Sequence, residues 1–142
     1  MEGALPSAGT TRRDSSDGQS CGANDPVCAG SNPALSSKLY VVTRDDLPAG
    51  LQAAQLGHAL VGYVLAQPAQ AAHWHTRSNN LVCLAVPDET ALSGLVGHLV
   101  RESVPVLCFH EPDLGGQLTA VAVSPDGARL LSSIPLALRL GR

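Results

Sequence analysis

A glutamine and a histidine, Gln55 and His58, lie three residues apart in a segment of small residues near the middle of the chain. Residues spaced i and i+3 share one face of a helix, so both side chains can point into one cleft. Histidine exchanges a proton at cellular pH, and a glutamine amide donates a hydrogen bond to a carbonyl or phosphate oxygen. The pair indicates acid–base chemistry, while a packing role for His58 is the alternative that the pair alone leaves open.

Two carboxylates and a threonine add to this pair. Glu111 and Asp113 follow an apolar run, in a connection that contains glycine, and Thr119 opens the next apolar run. We expect this connection on the same sheet edge as the turn after the first strand, where a carboxylate can orient or deprotonate a water molecule. Solvated loop charges and an ordinary strand threonine are the alternatives.

A second group of residues is cationic. His73, Trp74, His75 and Arg77 combine imidazoles and a guanidinium with an aromatic ring, a combination that can meet phosphate or a base. An exposed turn with the tryptophan as a hydrophobic plug is the alternative. The two histidines, at i and i+2, have no evident third ligand, so a metal site is not predicted.

The sequence contains no motif for a cofactor or for covalent catalysis. It has no Gly-x-Gly-x-x-Gly after the first apolar run, no Gly-Lys-Ser/Thr phosphate loop and no Gly-x-Ser-x-Gly elbow. The four cysteines lack the spacing of zinc ligands. Cys83 and Cys108 each lie inside an apolar run and are expected to be buried core thiols.

The composition predicts one globular domain with a polar tail. Residues 1–37 are small and polar and are predicted to be disordered, and residues 38–142 are predicted to form the domain. The net charge of −3 provides no global basic field, so a nucleic-acid partner requires a local patch. No targeting segment and no apolar stretch long enough for a bilayer are visible, so we expect a cytoplasmic protein without a membrane partner.

The hydrophobic pattern alternates between strands and helices. The predicted strands are the four apolar runs at residues 38–43, 81–86, 104–109 and 118–123. One helix is predicted from Pro48 or Gly50 to Ala66 and another after Asp88, which can cap it, while residues 67–80 are predicted to be a loop. This order predicts an α/β sandwich with a mostly parallel or mixed sheet. The face of the first helix is expected to contain Leu51, Ala54, Gln55, His58, Val61, Gly62 and Leu65.

The order of these residues resembles the second, archaeal and eukaryotic type of peptidyl-tRNA hydrolase. The resemblance covers residues 38–139, and its most specific part is the Ala-Gln-x-x-His-Ala spacing around Gln55 and His58, directly after the first strand. The other matching segments are residues 41–47 (VVTRDDL), 86–89 (VPDE) and 119–125 (TAVAVSP).

This resemblance implies a fold and an activity. Family members form a mixed four-stranded sheet with helices on both faces, which implies a three-layer α/β sandwich here. They hydrolyse the ester that joins a peptide to the 3′ end of tRNA, without a metal or an organic cofactor, as part of translation quality control. The family glutamine matches Gln55, the helix histidine matches His58, and the threonine of the last central strand matches Thr119.

The chain also departs from the family pattern. A lysine that usually precedes the helix falls on Leu51, and an Asp-Ala-Gly loop is replaced by Glu111-Pro112-Asp113, with no counterpart for the threonine that follows it. The Pro48-Ala49-Gly50 entry to the helix and the Glu-Pro loop instead resemble a divergent subgroup described only as peptidyl-tRNA hydrolase domain-containing proteins. The lost lysine removes a cation that could contact phosphate or stabilise an oxyanion. A catalytically weak or inactive protein that binds RNA or another protein is therefore the alternative function.

The leading hypothesis from the sequence is a cytosolic peptidyl-tRNA hydrolase. Glu111 or His58 would position the water molecule, and Gln55 and Thr119 would hold the ester carbonyl and the terminal ribose. Hydrolysis of another acyl ester or of D-aminoacyl-tRNA is a third reading. The residues predicted to bind the tRNA backbone are Arg44, His73 and Arg77. The residues whose exposure would permit a homodimer contact are Leu136, Leu138 and Leu140.

Overall fold

The apolar runs form a four-stranded mixed sheet that is covered by helices on both faces, as the sequence predicts. The structure is a computed structural model, and it describes residues 38–139. The predictions for residues 1–37 and for Leu140 lie outside this range. The strands are β1 (Lys38–Arg44), β2 (Asn80–Val86), β3 (Val106–Glu111) and β4 (Gln117–Val123). The α-helices are α1 (Ala49–Ala66), α2 (Pro68–Arg77) and α3 (Glu89–Arg101), and 3-10 helices occupy Pro112–Leu114 and Pro125–Leu131.

The strand order is β2-β1-β4-β3. Strand β1 pairs in parallel with β2, and β4 runs antiparallel to both β1 and β3. The carboxyl ends of β1, β2 and β3 therefore lie at one edge of the sheet together with the amino end of β4. We call this the carboxyl edge; it contains Arg44, Val86, Glu111 and Gln117. The expectation that Glu111 lies on the same edge as the turn after the first strand is confirmed.

Two hydrophobic cores lie on opposite faces of the sheet, because neighbouring side chains of a strand point to opposite sides. The α3-side core contains Val42, Leu84, Leu92, Leu99, Leu118, Val121 and Val123, among others. The α1-side core contains Leu39, Val41, Leu56, Ala59, Tyr63, Trp74, Ala120 and Ala122, among others. Each core packs one face of the sheet against its helices, which is the arrangement of a three-layer α/β fold.

Helix α1 has the predicted bounds but not the predicted buried face. Its buried residues are Gln52, Gln55, Leu56, Ala59 and Tyr63. Val61 and Leu65, which were expected on the inner face, are 57% and 76% exposed. The helix contains no charged residue over its 18 positions, so hydrophobic residues occur all around it and the pattern did not identify the inner side.

The prediction of a loop at residues 67–80 is wrong, because most of this segment forms helix α2. Pro68 takes the first helical position, where its missing N–H costs no hydrogen bond, and alanines follow it. Trp74 is buried, and its indole Nε1 donates to the Asn80 carbonyl over 2.8 Å. The tryptophan is thus a hydrophobic plug, which is the alternative to a phosphate or base contact, but it projects from a helix instead of a turn.

The two cysteines of the described residues are half-buried, so the expectation of buried core thiols is only partly met. Burial raises the pKa of both the Cys83 and the Cys108 thiol. Leu136 and Leu138 are 58% and 43% exposed, as expected. Among residues 38–139, no helix is long and apolar enough to cross a membrane.

Asp88 caps helix α3, as its sequence position predicts. Its Oδ1 atom accepts a hydrogen bond from the backbone N–H of Ala91 over 2.9 Å. We expect Asp88→Ala to lower the free energy of unfolding by about 1 kcal/mol, because a backbone donor then loses its partner. Urea denaturation followed by circular dichroism measures this change. Asp88→Asn keeps a capping oxygen and should stay close to the wild type; an equal loss in both variants would contradict a capping role.

Candidate functional site

Gln55 lies at the centre of a buried hydrogen-bond network beneath the carboxyl edge. Its side chain is fully buried on α1. The Nε2 atom donates to Oε2 of Glu111 over 2.7 Å, and the Oε1 atom accepts from the Thr119 hydroxyl over 2.5 Å. The structure therefore joins three residues from α1, β3 and β4 that are up to 64 positions apart in the sequence.

The network fixes the orientation of the Gln55 amide. Glutamine oxygen and nitrogen are assigned from their partners, and a carboxylate can only accept hydrogen bonds. Reversing the amide would place two acceptors, Oε1 and the Glu111 carboxylate, against each other. The NH2 group therefore faces Glu111 and the carbonyl faces the Thr119 hydroxyl, which leaves one consistent direction for every hydrogen bond.

Glu111 ends strand β3 and is held in its ionised form. The hydrogen bond from Gln55 is the main reason why the pKa of this carboxyl lies below its ordinary value, and the N–H of Asp113, which donates to Oε1 over 3.3 Å, and the nearby His58 act in the same direction. Each carboxylate oxygen offers two lone pairs, of which one is used here. Glu111 is thus a positioned carboxylate that can still accept a hydrogen bond from water.

His58 lies on the exposed side of α1, near enough to this carboxylate to contribute to its lowered pKa. Its ring stacks on the Phe109 ring with centroids 4.6 Å apart and an angle of 20° between the planes. Phe109 precedes Glu111 by two residues in β3, so the stacking holds the imidazole beside the same strand end. Hydrogen bonds join Gln55, Glu111 and Thr119, and His58 stacks on the same strand, but Gln55 and Thr119 are fully buried.

A bulge in β4 aims Thr119 at Gln55. Phe109 pairs with Ala120 and His110 pairs with Leu118, so Thr119 is an extra residue opposite β3. Bulges bend a strand and redirect a side chain, and they are common next to active sites. No sequence pattern announced this one, because a threonine at the start of an apolar run is ordinary strand sequence.

Arg44 is at the carboxyl edge but is buried, with 7% of its surface exposed. Its Nε and Nη2 atoms donate to the two carboxylate oxygens of Asp46 over 3.0 and 2.9 Å, and Nη1 donates to Gln117 over 2.8 Å. The hydrogen bond between them raises the pKa of Arg44 and lowers that of Asp46. This placement favours a structural role for Arg44 over the predicted contact with the tRNA backbone.

His73 and Arg77 are exposed on α2, far from Glu111. Trp74 of the same helix bonds Asn80, the first residue of β2, which lies at the opposite edge of the sheet. A seven-residue strand spans roughly 20 Å between these edges. The structure thus does not bring His73 and Arg77 to the Glu111 network, although both side chains are exposed.

A cavity of about 440 Å³ opens at another part of the carboxyl edge, beside the ends of β1 and β2. It is lined by Asp45, Asp46, Ala85, Val86, Pro87, Ser133, Ile134 and Pro135. None of the residues of the Glu111 network lines it. Within residues 38–139, no group of three or more histidine, cysteine, aspartate or glutamate side chains is placed to hold a metal ion.

The lowered pKa of Glu111 has a consequence for stability. The folded state favours the carboxylate, so its contribution is present above the unfolded pKa of about 4.3 and is lost as the pH falls through the lower folded pKa. We expect the gap in unfolding free energy between wild type and Glu111→Gln to shrink as the pH is lowered from 6 to 3. Urea denaturation across this range measures it. A gap that stays constant would show that Glu111 has an ordinary pKa.

Comparison of the sequence with known protein families finds a match. The sequence model of a family described as peptidyl-tRNA hydrolase PTH2 matches residues 37–140, which include all four strands and their helices. No curated protein is significantly similar to the chain.

Proposed function

The chain belongs to the peptidyl-tRNA hydrolase PTH2 family, and from that membership we propose that it hydrolyses the ester bond of peptidyl-tRNA and releases peptide and free tRNA. One observation supports this proposal most: Gln55, whose amide is itself held by the Thr119 hydroxyl, holds the Glu111 carboxylate at the carboxyl edge with its remaining lone pairs available. A fixed carboxylate beside an exposed imidazole is a suitable arrangement for activating water.

In the proposed reaction, Glu111 acts as the general base. Its carboxylate takes a proton from a water molecule while the water oxygen bonds to the ester carbonyl carbon. The bond from that carbon to the ribose 3′ oxygen then breaks, and the ribose oxygen receives a proton. We assign this second proton transfer, or a hydrogen bond to the departing oxygen, to His58, because it is exposed next to Glu111.

Gln55 and Thr119 have a different role in this proposal from the one that the sequence predicts. Both side chains are fully buried: Gln55 bonds Thr119 and Glu111, and the Thr119 hydroxyl bonds Gln55 and the Phe109 carbonyl. We therefore assign them to orienting the carboxylate rather than to holding the ester carbonyl and the ribose. Water that is already positioned is a sufficient nucleophile for an ester that its ribose neighbour activates.

The tRNA part of the substrate is a polyanion that extends far beyond the ester. His73 and Arg77 on the exposed side of α2 remain the proposed contacts to its phosphates. Because α2 is far from Glu111, only a long substrate such as tRNA could contact both. The cytosol, where peptidyl-tRNA arises, is the proposed place of the reaction.

Release of a labelled, N-blocked aminoacyl group from tRNA by the purified protein tests the function. We expect release that increases in proportion to protein concentration and that is lost in Glu111→Gln. Release no faster than in buffer, while a known peptidyl-tRNA hydrolase is active in the same assay, would refute the proposal. Parallel assays with D-aminoacyl-tRNA and with simple acyl esters separate it from hydrolysis of other substrates.

Binding without turnover is the second candidate function. It is favoured by Leu51, an uncharged residue at the position where the family usually has a lysine. If this function is the correct one, tRNA will bind to the wild type and to Glu111→Gln with equal affinity, and neither protein will release the aminoacyl group. A filter-binding measurement with both proteins makes this comparison.

A further inference from the structure

We propose that Thr43, Arg44 and Glu89 are positioning residues of the site, because they hold the bulge that turns Thr119 toward Gln55. The catalytic part of this inference rests on the proposed function. The structural part concerns how the Glu111 carboxylate is held, and it can be tested without measuring any hydrolysis.

The bulge reverses the side of the sheet to which the first residues of β4 point. From Ala120 onward, even-numbered residues of the strand belong to the α1-side core and odd-numbered residues to the α3-side core. Continued alternation would turn Thr119 toward α3 and Leu118 toward α1. Thr119 instead bonds Gln55 on α1, and Leu118 belongs to the α3-side core. The extra residue therefore decides whether the threonine hydroxyl reaches the network.

Side chains from two other elements bind the backbone of the bulge. The Thr43 hydroxyl on β1 donates to the Thr119 carbonyl over 2.9 Å, and Nη1 of Arg44 donates to the Leu118 carbonyl over 3.3 Å. The N–H of Leu118 donates to Oε2 of Glu89, at the start of α3, over 2.9 Å. The bulge is thus held from the neighbouring strand β1 and from helix α3, and Asp46 in turn fixes the guanidinium of Arg44.

Thr43 is the most informative of these residues. Its side chain is fully buried. Its hydroxyl donates a hydrogen bond to the backbone carbonyl of Thr119, the residue whose own hydroxyl bonds Gln55. Removing the Thr43 hydroxyl leaves a buried carbonyl without that donor, and an unpaired buried polar group is costly. Local rearrangement of the bulge relieves this cost, and it moves Thr119 away from Gln55. The effect then reaches Glu111 through the Gln55 amide.

The test compares Thr43→Val, which has nearly the same shape without the hydroxyl, with Thr43→Ser, which keeps the hydroxyl. The control is Thr76→Val on α2, where the lost hydroxyl bonds only the helix backbone. The first readout is the pKa of Glu111, followed by its side-chain carbon resonance in a pH titration. Gln55 is the main cause of the lowered pKa, so a disturbed network should raise it. This readout requires no substrate.

We expect Thr43→Val to raise the pKa of Glu111 and to lower kcat about tenfold or more with a smaller change in KM, as loss of an interaction used in the chemical step does. Thr43→Ser should restore both values to near wild type, and Thr76→Val should change neither. A folded Thr43→Val protein with an unaltered Glu111 pKa and unaltered kcat would overturn the inference.

A second variant covers the case in which Thr43→Val does not fold. Glu89→Ala removes the acceptor of the Leu118 N–H from a half-buried position at the start of α3. It should shift the Glu111 pKa in the same upward direction, and no shift in this variant would equally overturn the inference. If the wild type hydrolyses no substrate, the proposed function fails, while the pKa comparison still decides whether these residues position Glu111.

Discussion

Glu111→Gln is expected to reduce kcat for hydrolysis of peptidyl-tRNA by about 100-fold or more, the usual loss when a general base is removed. Glutamine has almost the same shape as glutamate and can still accept a hydrogen bond from Gln55, so the network should remain. It cannot take a proton from water. The substitution therefore removes the proton transfer while it leaves the surrounding hydrogen bonds in place.

Asp113→Asn is the matched comparison, because the sequence left both carboxylates open as candidates. Gln55 holds the carboxylate of Glu111, whereas Asp113 contributes its backbone N–H to that group. Asp113→Asn should keep kcat within about threefold of the wild type. Steady-state assays with labelled peptidyl-tRNA measure both variants. If the loss occurs in Asp113→Asn and not in Glu111→Gln, the general base has been assigned to the wrong residue.

Gln55→Leu is expected to have the second large effect, on stability and on activity together. Leucine fills most of the volume but leaves the Thr119 hydroxyl and the Glu111 carboxylate without their shared partner. The loss of a buried polar partner lowers the free energy of unfolding by about 1–3 kcal/mol. The activity should fall as well, because the carboxylate is no longer oriented. Urea denaturation and the hydrolysis assay measure the two effects.

Gln52→Leu supplies the control for this experiment. Gln52 is also buried on α1, but its Nε2 donates to the Leu47 carbonyl over 2.7 Å and it has no bond to Glu111. It should therefore change stability without changing kcat by more than about threefold. A similar loss of kcat in both variants would mean that any disturbance of α1 lowers activity, and the specific role of Gln55 would be refuted.

The fold was predictable from the sequence to a large extent. The four strands and α1 have hydrophobic patterns bounded by turn residues, and Asp88 marks the start of α3 by a local hydrogen bond. Such signals depend on residues close in the chain. The loop prediction at residues 67–80 failed because the helix there is short, and its only large apolar residue in the core is Trp74. The inner face of α1 was missed because no charged residue marks its outer side.

The candidate residues were also named from the sequence, but their relationship was not. Gln55 and Glu111 are 56 positions apart, and nothing local determines that their side chains meet. The sequence further suggests Arg44 as a contact to the tRNA backbone, whereas its guanidinium is paired with Asp46. Thr43 and Phe109 were overlooked, although a threonine that ends an apolar run offers a weak signal of a polar site.

The sequence by itself determined which chemical groups this protein has and the approximate positions of its four strands and of helices α1 and α3. Those properties follow from backbone preferences and hydrophobic periodicity, which act over a few residues. Only the tertiary structure decided that Gln55 holds Glu111 and that Thr119 faces α1. The reason is physical: the pairing of β3 with β4 inserts one extra residue, and this shift reverses the side of the sheet on which the threonine hydroxyl lies.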